Sequence, residues 1–251
     1  MVELLIYSII GFVAQIIDGS MGMAYGISCN TLLRNFLGLP SIVASACVHF
    51  VEIFTSLASA VSHIKLKNIS KDLLTKLLVP GMIGGILGVY VLSDIYSEMW
   101  DPIIDIYLII MGMIVFFKAF KKPKDPKEPK KSVYILGLIG GFSDAIGGGG
   151  WGPVVTSTLV ASDHDIRKTV GSVNTAEFFV TLVQSIAFFT VVGNNLLGYT
   201  TILLGLLIGG VIAAPFAAVL SKKIPLKMMF IMVGILIVGI NGYSLIMWGL
   251  K

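Results

Sequence analysis

Ten apolar segments follow one another along this chain, at about 2–18, 21–37, 41–64, 73–93, 101–120, 133–146, 151–162, 168–192, 198–220 and 228–250. A helix needs about 20 apolar residues to cross a bilayer, within a range of about 17–25. Most of the runs have that length, and all 18 Lys and Arg lie between them or at their ends. An all-α integral membrane protein is the expected fold class. Composition agrees. Only 13% of the residues are charged and mean hydropathy is +0.93, whereas a soluble domain carries about 25% charged residues. This argues against a water-soluble enzyme. It argues equally against a nucleic-acid partner, since a net charge of +4 is scattered between apolar runs and forms no basic stripe. The runs are too long for the alternating strands of an outer-membrane barrel. The first one has no basic leader and no small-residue cleavage site, so it reads as mature structure. Cys29 and Cys47 sit in apolar context and form no disulfide framework. They read as small buried hydrophobes.

The stretch Lys121–Lys131, with prolines at 123, 126 and 129, divides the chain into a first membrane repeat (1–120), a linker (121–131) and a second membrane repeat (132–251). Its prolines favour an extended, solvated chain. Its lysines, like those of 65–76 and 222–227, mark the cytoplasmic side by the positive-inside rule. The acidic loop 94–101 and the uncharged Gly193-Asn-Asn195 then fall outside, as do both termini. Arg34 alone opposes this scheme, falling on the outer side.

The two halves resemble each other. Asp18 and Asp144 each precede a glycine-rich stretch and an aromatic: Asp18-Gly-Ser-Met-Gly-Met-Ala-Tyr-Gly26 against Asp144-Ala-Ile-Gly-Gly-Gly-Gly-Trp-Gly152. Further on, Ser-Ala-Cys-Val-His-Phe-Val-Glu52 faces Val-Gly-Ser-Val-Asn-Thr-Ala-Glu177, and Gly84-Gly85 faces Gly209-Gly210. The order of elements is the same while the charge rule gives opposite orientation. The expected architecture is therefore two inverted repeats of about five helical segments each, a common build for secondary transporters. The first two segments of a repeat are short enough to be half-helices or a re-entrant hairpin.

Carboxylates inside apolar segments cost about 2.5–3.5 kcal/mol at mid-bilayer, so Asp18, Glu52, Asp144 and Glu177 are candidates for function. His49, Glu52, Ser56 and Ser59 share one helical face, and Asn174, Glu177, Thr181 and Gln184 repeat the spacing. Two matched stripes read as two walls of one polar cavity; the bland reading is interhelical hydrogen bonding. Gly148, Gly149, Gly150 and Trp151 mark a broken helix whose free N–H groups suit an anion. Asp18 and Asp144 can accept from such groups as caps, or take part in coupling. Gly81, Gly84, Gly85 and Gly88 read as close helix packing. Burial disfavours the ionised carboxyl, and a neutral Glu52 or Glu177 donates a hydrogen bond to a substrate oxygen. Proton loss and gain there would couple transport to a proton gradient. No catalytic residue is expected, since no nucleophile and base stand at suitable spacing. No metal and no cofactor are expected either: His49 and Glu52 supply only two ligands.

At these residues the chain resembles the sulfite exporter TauE/SafE family, also described as the sulfonate uptake permease group. The resemblance spans both halves. It rests on Ile-Asp18-Gly…Gly-Met-Ala-Tyr-Gly26, Leu-Gly-Leu-Pro40, Ser45-Ala-Cys-Val-His49-Phe-Val-Glu52 and Ser62-His63. In the second half it rests on Gly140-Gly-Phe-Ser-Asp144-Ala-Ile-Gly-Gly-Gly-Gly-Trp-Gly-Pro-Val-Val155 and Gly171-Ser-Val-Asn174-Thr-Ala-Glu177-Phe-Phe179. It implies a multi-pass inner-membrane permease for a small, often sulfur-containing anion such as sulfite or an organosulfonate. Many family members have a fuller glycine run where this chain has Met21-Gly-Met-Ala24, so its two half-sites are not equivalent. An anion channel and a permease for a non-sulfur organic anion are the alternatives. The expected partners are the anion and the lipid bilayer, and the small-residue helix faces also suit a homodimer.

Overall fold

The computed structural model describes residues 2–21, 24–65, 67–94, 101–120, 132–156, 158–159, 166–220 and 226–250. The linker 121–131, His164 and most of the loop 222–227 lie outside the described residues. The helices are α1 (Val2–Met21), α2 (Tyr25–Leu37), α3 (Ser41–Lys65), α4 (Lys71–Asp94), α5 (Asp101–Lys118), α6 (Ser132–Gly147), α7 (Ile166–Val192), α8 (Thr200–Leu220) and α9 (Leu226–Gly249). A π turn at Gly152–Thr156 stands between α6 and α7, and a 3-10 turn at Gly193–Tyr199 between α7 and α8. No strand occurs among the described residues. Helices satisfy every backbone polar group within one segment, which lipid demands. Among the described residues, four helices are long and apolar enough to cross a membrane: Ser41–Lys65, Lys71–Ser93, Lys168–Val192 and Phe230–Gly249.

The element boundaries follow local chemistry. α2 has 13 residues, about 20 Å at 1.5 Å per residue, short of the roughly 30 Å of a bilayer core. It starts after Ala24, held at φ 86°, and stops at Gly38, whose φ of 65° ends the helix with its N–H bonded to the Arg34 carbonyl. Leu39 then donates to Leu33, and Pro40 prevents continuation.

The helices pack chiefly as α1 along α8, α4 along α6, α5 along α9 and α3 along α7, with α4 also lying against α7. The sequence duplication matches α1 with α6, α3 with α7 and α4 with α8. Exchanging the halves turns the α1–α8 pair into the α6–α4 pair. The matched glycines carry these contacts. A Cβ on Gly84 would strike the Leu138 carbonyl, and one on Gly209 would strike the Ser8 carbonyl. Small residues that admit a neighbouring backbone hold helices together where lipid gives no hydrophobic drive. The outer flanks expose Ile83 and Leu87 on α4, Val211 and Ile212 on α8, and Ile235 and Ile246 on α9. Apolar surface on this scale suits a lipid environment.

Arg34, which opposed the charge scheme, is buried at 8% exposure and pairs with Asp105 at 3.0 Å. Ser244 on α9 donates to the other Asp105 oxygen at 2.7 Å. Beside it, Asn35 donates to Asn241, which donates to Thr31, both at 3.1 Å. A buried, neutralised arginine is not a loop charge, so it has no weight in the positive-inside count. Asp105 lies four residues inside an apolar run and is a fifth carboxylate within such a run, which the sequence reading missed.

Candidate functional site

Each glycine-rich break is closed by the aspartate before it. Asp18 Oδ1 accepts from the Tyr25 N–H at 3.3 Å, and Asp144 Oδ1 accepts from the Trp151 N–H at 2.9 Å. Both bonds reach seven residues forward, so the duplication extends to cap geometry. Asp144→Ala is expected to lower the unfolding midpoint in detergent, by the roughly 0.5–2 kcal/mol of a lost cap. Asp144→Asn, which keeps an acceptor, should lose less.

The second break is built on Gly148 (φ 63°) and Gly149 (φ 152°), conformations that favour glycine. It presses on α2. A Cβ on Gly149 would meet the Gly26 and Ile27 backbone, and Asn30 Nδ2 donates to the Gly147 carbonyl at 2.5 Å. The second break therefore packs on the first turns of α2, the helix that follows the first break.

Next to this contact lies a cavity of about 300 Å³ between α1, α2, α3 and α7. Its lining includes Asp18, Glu52, Ser56, Ser59, Asn174 and Glu177, together with Gln15, Tyr25, Thr55, His63 and Val170. Glu52 and Glu177 stand near the middle of α3 and α7, while His63 and Val170 stand near the helix ends that carry Lys65 and Lys168. Asn174 Nδ2 donates to Ser59 Oγ at 2.8 Å, tying α3 to α7 across the cavity wall. The Ser56 hydroxyl bonds back to the Glu52 carbonyl.

The other members of the two stripes are not among the lining residues. Thr181 donates to the Glu177 carbonyl at 2.8 Å, and Gln184 Nε2 donates to the Gly141 carbonyl at 3.0 Å. His49 is fully buried behind Glu52, with Nδ1 3.1 Å from Glu52 Oε2 and Nε2 3.2 Å from the Asp144 carbonyl oxygen. Trp151 is fully buried in an apolar cluster with Leu77, Val155 and Val180, and its indole N–H donates to the Val173 carbonyl at 3.2 Å. Gly148, Gly149 and Gly150 are buried against Asn30, α2 and Tyr107, away from the cavity lining. Gln15, Thr55 and His63 were missed as site residues, although the sequence held a signal. Gln15 is one helical turn from Asp18, Thr55 from Glu52 and His63 from Ser59, which puts each on its neighbour's face. Among the described residues no group of three or more His, Cys, Asp or Glu can hold a metal ion.

The chain is similar to known transport proteins. The sequence profile of the family described as Sulfite exporter TauE/SafE matches residues 7–243. The probable membrane transporter protein YtnM of Bacillus subtilis (strain 168) is 39% identical over 254 residues, covering 98% of this chain and 84% of that protein.

Proposed function

Because the chain belongs to the sulfite exporter TauE/SafE family and is a multi-pass membrane transporter, we propose that it carries a small sulfur-containing anion, such as sulfite or an organosulfonate, together with protons. The observation that carries this reading is the cavity joining Glu52 and Glu177, matched residues of the two halves. It is polar, and Lys and Arg are absent from its described lining. Tyr25, Gln15, His63 and Asn174 offer hydrogen-bond donors to an oxyanion. Asp18, Glu52 and Glu177 would repel the same anion if ionised. Protonation removes the repulsion and turns each carboxyl into a donor. Anion and protons then occupy the cavity together, which couples their movement.

The halves act as inverted repeats in this reading, with the site at their interface. The exchange of helix pairs between halves supports it. The linker 121–131 is cytoplasmic, both termini are extracytoplasmic, and the His63 end of the cavity faces the cytoplasm of an inner membrane. Arg34, paired within the fold, no longer opposes this orientation.

A thermal-shift screen of purified protein against sulfite, thiosulfate, sulfoacetate, sulfolactate and simple carboxylates tests the substrate class. Stabilisation confined to the sulfur oxyanions is expected; stabilisation by carboxylates alone contradicts it. In vesicles, Glu52→Gln and Glu177→Gln are each expected to reduce pH-gradient-driven flux at least about tenfold, a change of about 1.4 kcal/mol. Undiminished pH-gradient dependence in both variants would contradict the coupling. Saturable counterflow separates a carrier from a channel, which would show large unitary currents instead.

A further inference from the structure

His49 lies outside the cavity lining, yet it bridges the two halves of the chain. Its ring is fully buried and stacks on Phe188 with centroids 5.6 Å apart. Its Nε2 faces the main-chain carbonyl oxygen of Asp144 at 3.2 Å. A carbonyl oxygen only accepts, so Nε2 carries a hydrogen. In a neutral imidazole that leaves Nδ1 with a bare lone pair. Nδ1 stands 3.1 Å from Glu52 Oε2, itself an acceptor when ionised. Two lone pairs do not face each other at that distance inside a protein without a proton between them.

We propose that His49 and Glu52 hold one proton between them, and that the Asp144 carbonyl enforces this by fixing the tautomer of His49. The proton resides on Glu52 Oε2 with a neutral imidazole, or on Nδ1 as an imidazolium facing a carboxylate. The pair has no net charge either way. When it gives the proton to cavity water, the pair carries one negative charge and the Nδ1–Oε2 hydrogen bond is lost. Loading reverses the step, with no other bond made or broken. His49 is thus a positioning residue acting through Glu52.

The anchor belongs to the second half. The same Asp144 carbonyl accepts from the Gly149 N–H at 3.0 Å, within the glycine break. Proton release at Glu52 therefore removes a hydrogen bond within α3, while the Nε2–H bond to Asp144 keeps α3 tied to the break that α2 packs against. The other ionisable groups around the pair are Asp144, with Oδ2 3.9 Å from Nδ1, Asp18 from α1, Tyr25 and Cys29 from α2, and Glu177 from α7. This inference deepens the proton-coupled reading above and rests on it for its functional meaning.

Nitrogen-15 NMR of histidine-labelled protein in nanodiscs tests the assignment directly. The chain has 3 histidines, so His63→Gln with His164→Gln leaves His49 as the remaining signal. Nε2 is expected to be protonated throughout, with Nδ1 either accepting a hydrogen bond or protonated alongside it. An Nδ1–H tautomer with bare Nε2 would overturn the proposal, since Glu52 would then be an ordinary carboxylate acceptor. In proteoliposomes, His49→Gln is expected to move the pH profile of transport by at least about tenfold in proton concentration. A profile superimposed on the parent's would overturn the role of the pair. If parental transport ignores a pH gradient while the Nε2–H tautomer is found, the shared proton stands and the coupled-transport reading fails.

Discussion

Asp105→Ala is expected to destabilise the protein by about 3–5 kcal/mol, the usual effect of deleting one partner of a buried ion pair. Asp105 is 1% exposed, and its two oxygens face Arg34 at 3.0 Å and Ser244 at 2.7 Å. Deletion takes the Asp105 carboxylate from a buried guanidinium and the acceptor from a half-buried hydroxyl. It also separates three elements at one point, since Arg34 lies on α2, Asp105 on α5 and Ser244 on α9. Asp105→Asn keeps an acceptor for Ser244 and should lose less. Arg34→Met combined with Asp105→Leu removes both charges and should recover most of the loss, because desolvating a buried pair offsets much of its attraction. Equilibrium unfolding in mixed micelles, arranged as a double-mutant cycle, measures these terms. An Asp105→Ala protein within about 1 kcal/mol of the parent would place the pair in the class of weak, solvated bridges.

Gly26→Ala is the second change with a large expected effect, although it adds a single methyl group. A Cβ at Gly26 would run into the Gly148 carbonyl oxygen, and would lie 2.5 Å from Gly149 Cα and 2.9 Å from Glu52 Oε1. The first two obstacles are backbone, so no side chain can rotate away. Overpacking typically costs about 1–3 kcal/mol, and the upper end is expected here. The third obstacle is the Glu52 carboxyl itself, so transport should fall by more than stability alone explains. Gly239→Ala is the matched control: it also adds a methyl within a helix, but no atom lies within 4 Å of its Cβ. It should be neutral or slightly stabilising, because alanine favours helix by about 1 kcal/mol over glycine. Unfolding midpoints and initial transport rates on the two variants decide the point. Equal behaviour would mean that the start of α2 does not pack on the second break.

How much of this was legible in the sequence depended on the kind of signal. The length of apolar runs located the described helices to within a few residues, because a bilayer fixes how long such a run must be. The glycine breaks and their aspartates were visible because four consecutive glycines in an apolar segment are too dense a run for helix packing alone. Helical periodicity put His49, Glu52, Ser56 and Ser59 on one face, but it carries no information on how far along that face a cavity extends. A polar side chain has the same sequence signature whether it faces water or a neighbour's carbonyl. Gln184 bonded to Gly141 and Trp151 bonded to Val173 are of the second kind, and neither could be told from the first. Asp105 escaped notice for a different reason. It follows an acidic loop closely, and its partners come from α2 and α9, remote in the chain.

The central claim is that the anion occupies the Glu52–Glu177 cavity only with protons. Calorimetric titration of an organosulfonate in buffers of differing ionisation enthalpy tests it most directly. A sulfonate stays ionised near neutral pH, so any proton exchanged belongs to the protein. At a pH where the empty cavity has released its protons, uptake of at least one proton per anion bound, abolished in the Glu52→Gln, Glu177→Gln double variant, is the predicted result. Tight binding with an enthalpy independent of buffer at every pH, including that one, would contradict this reading.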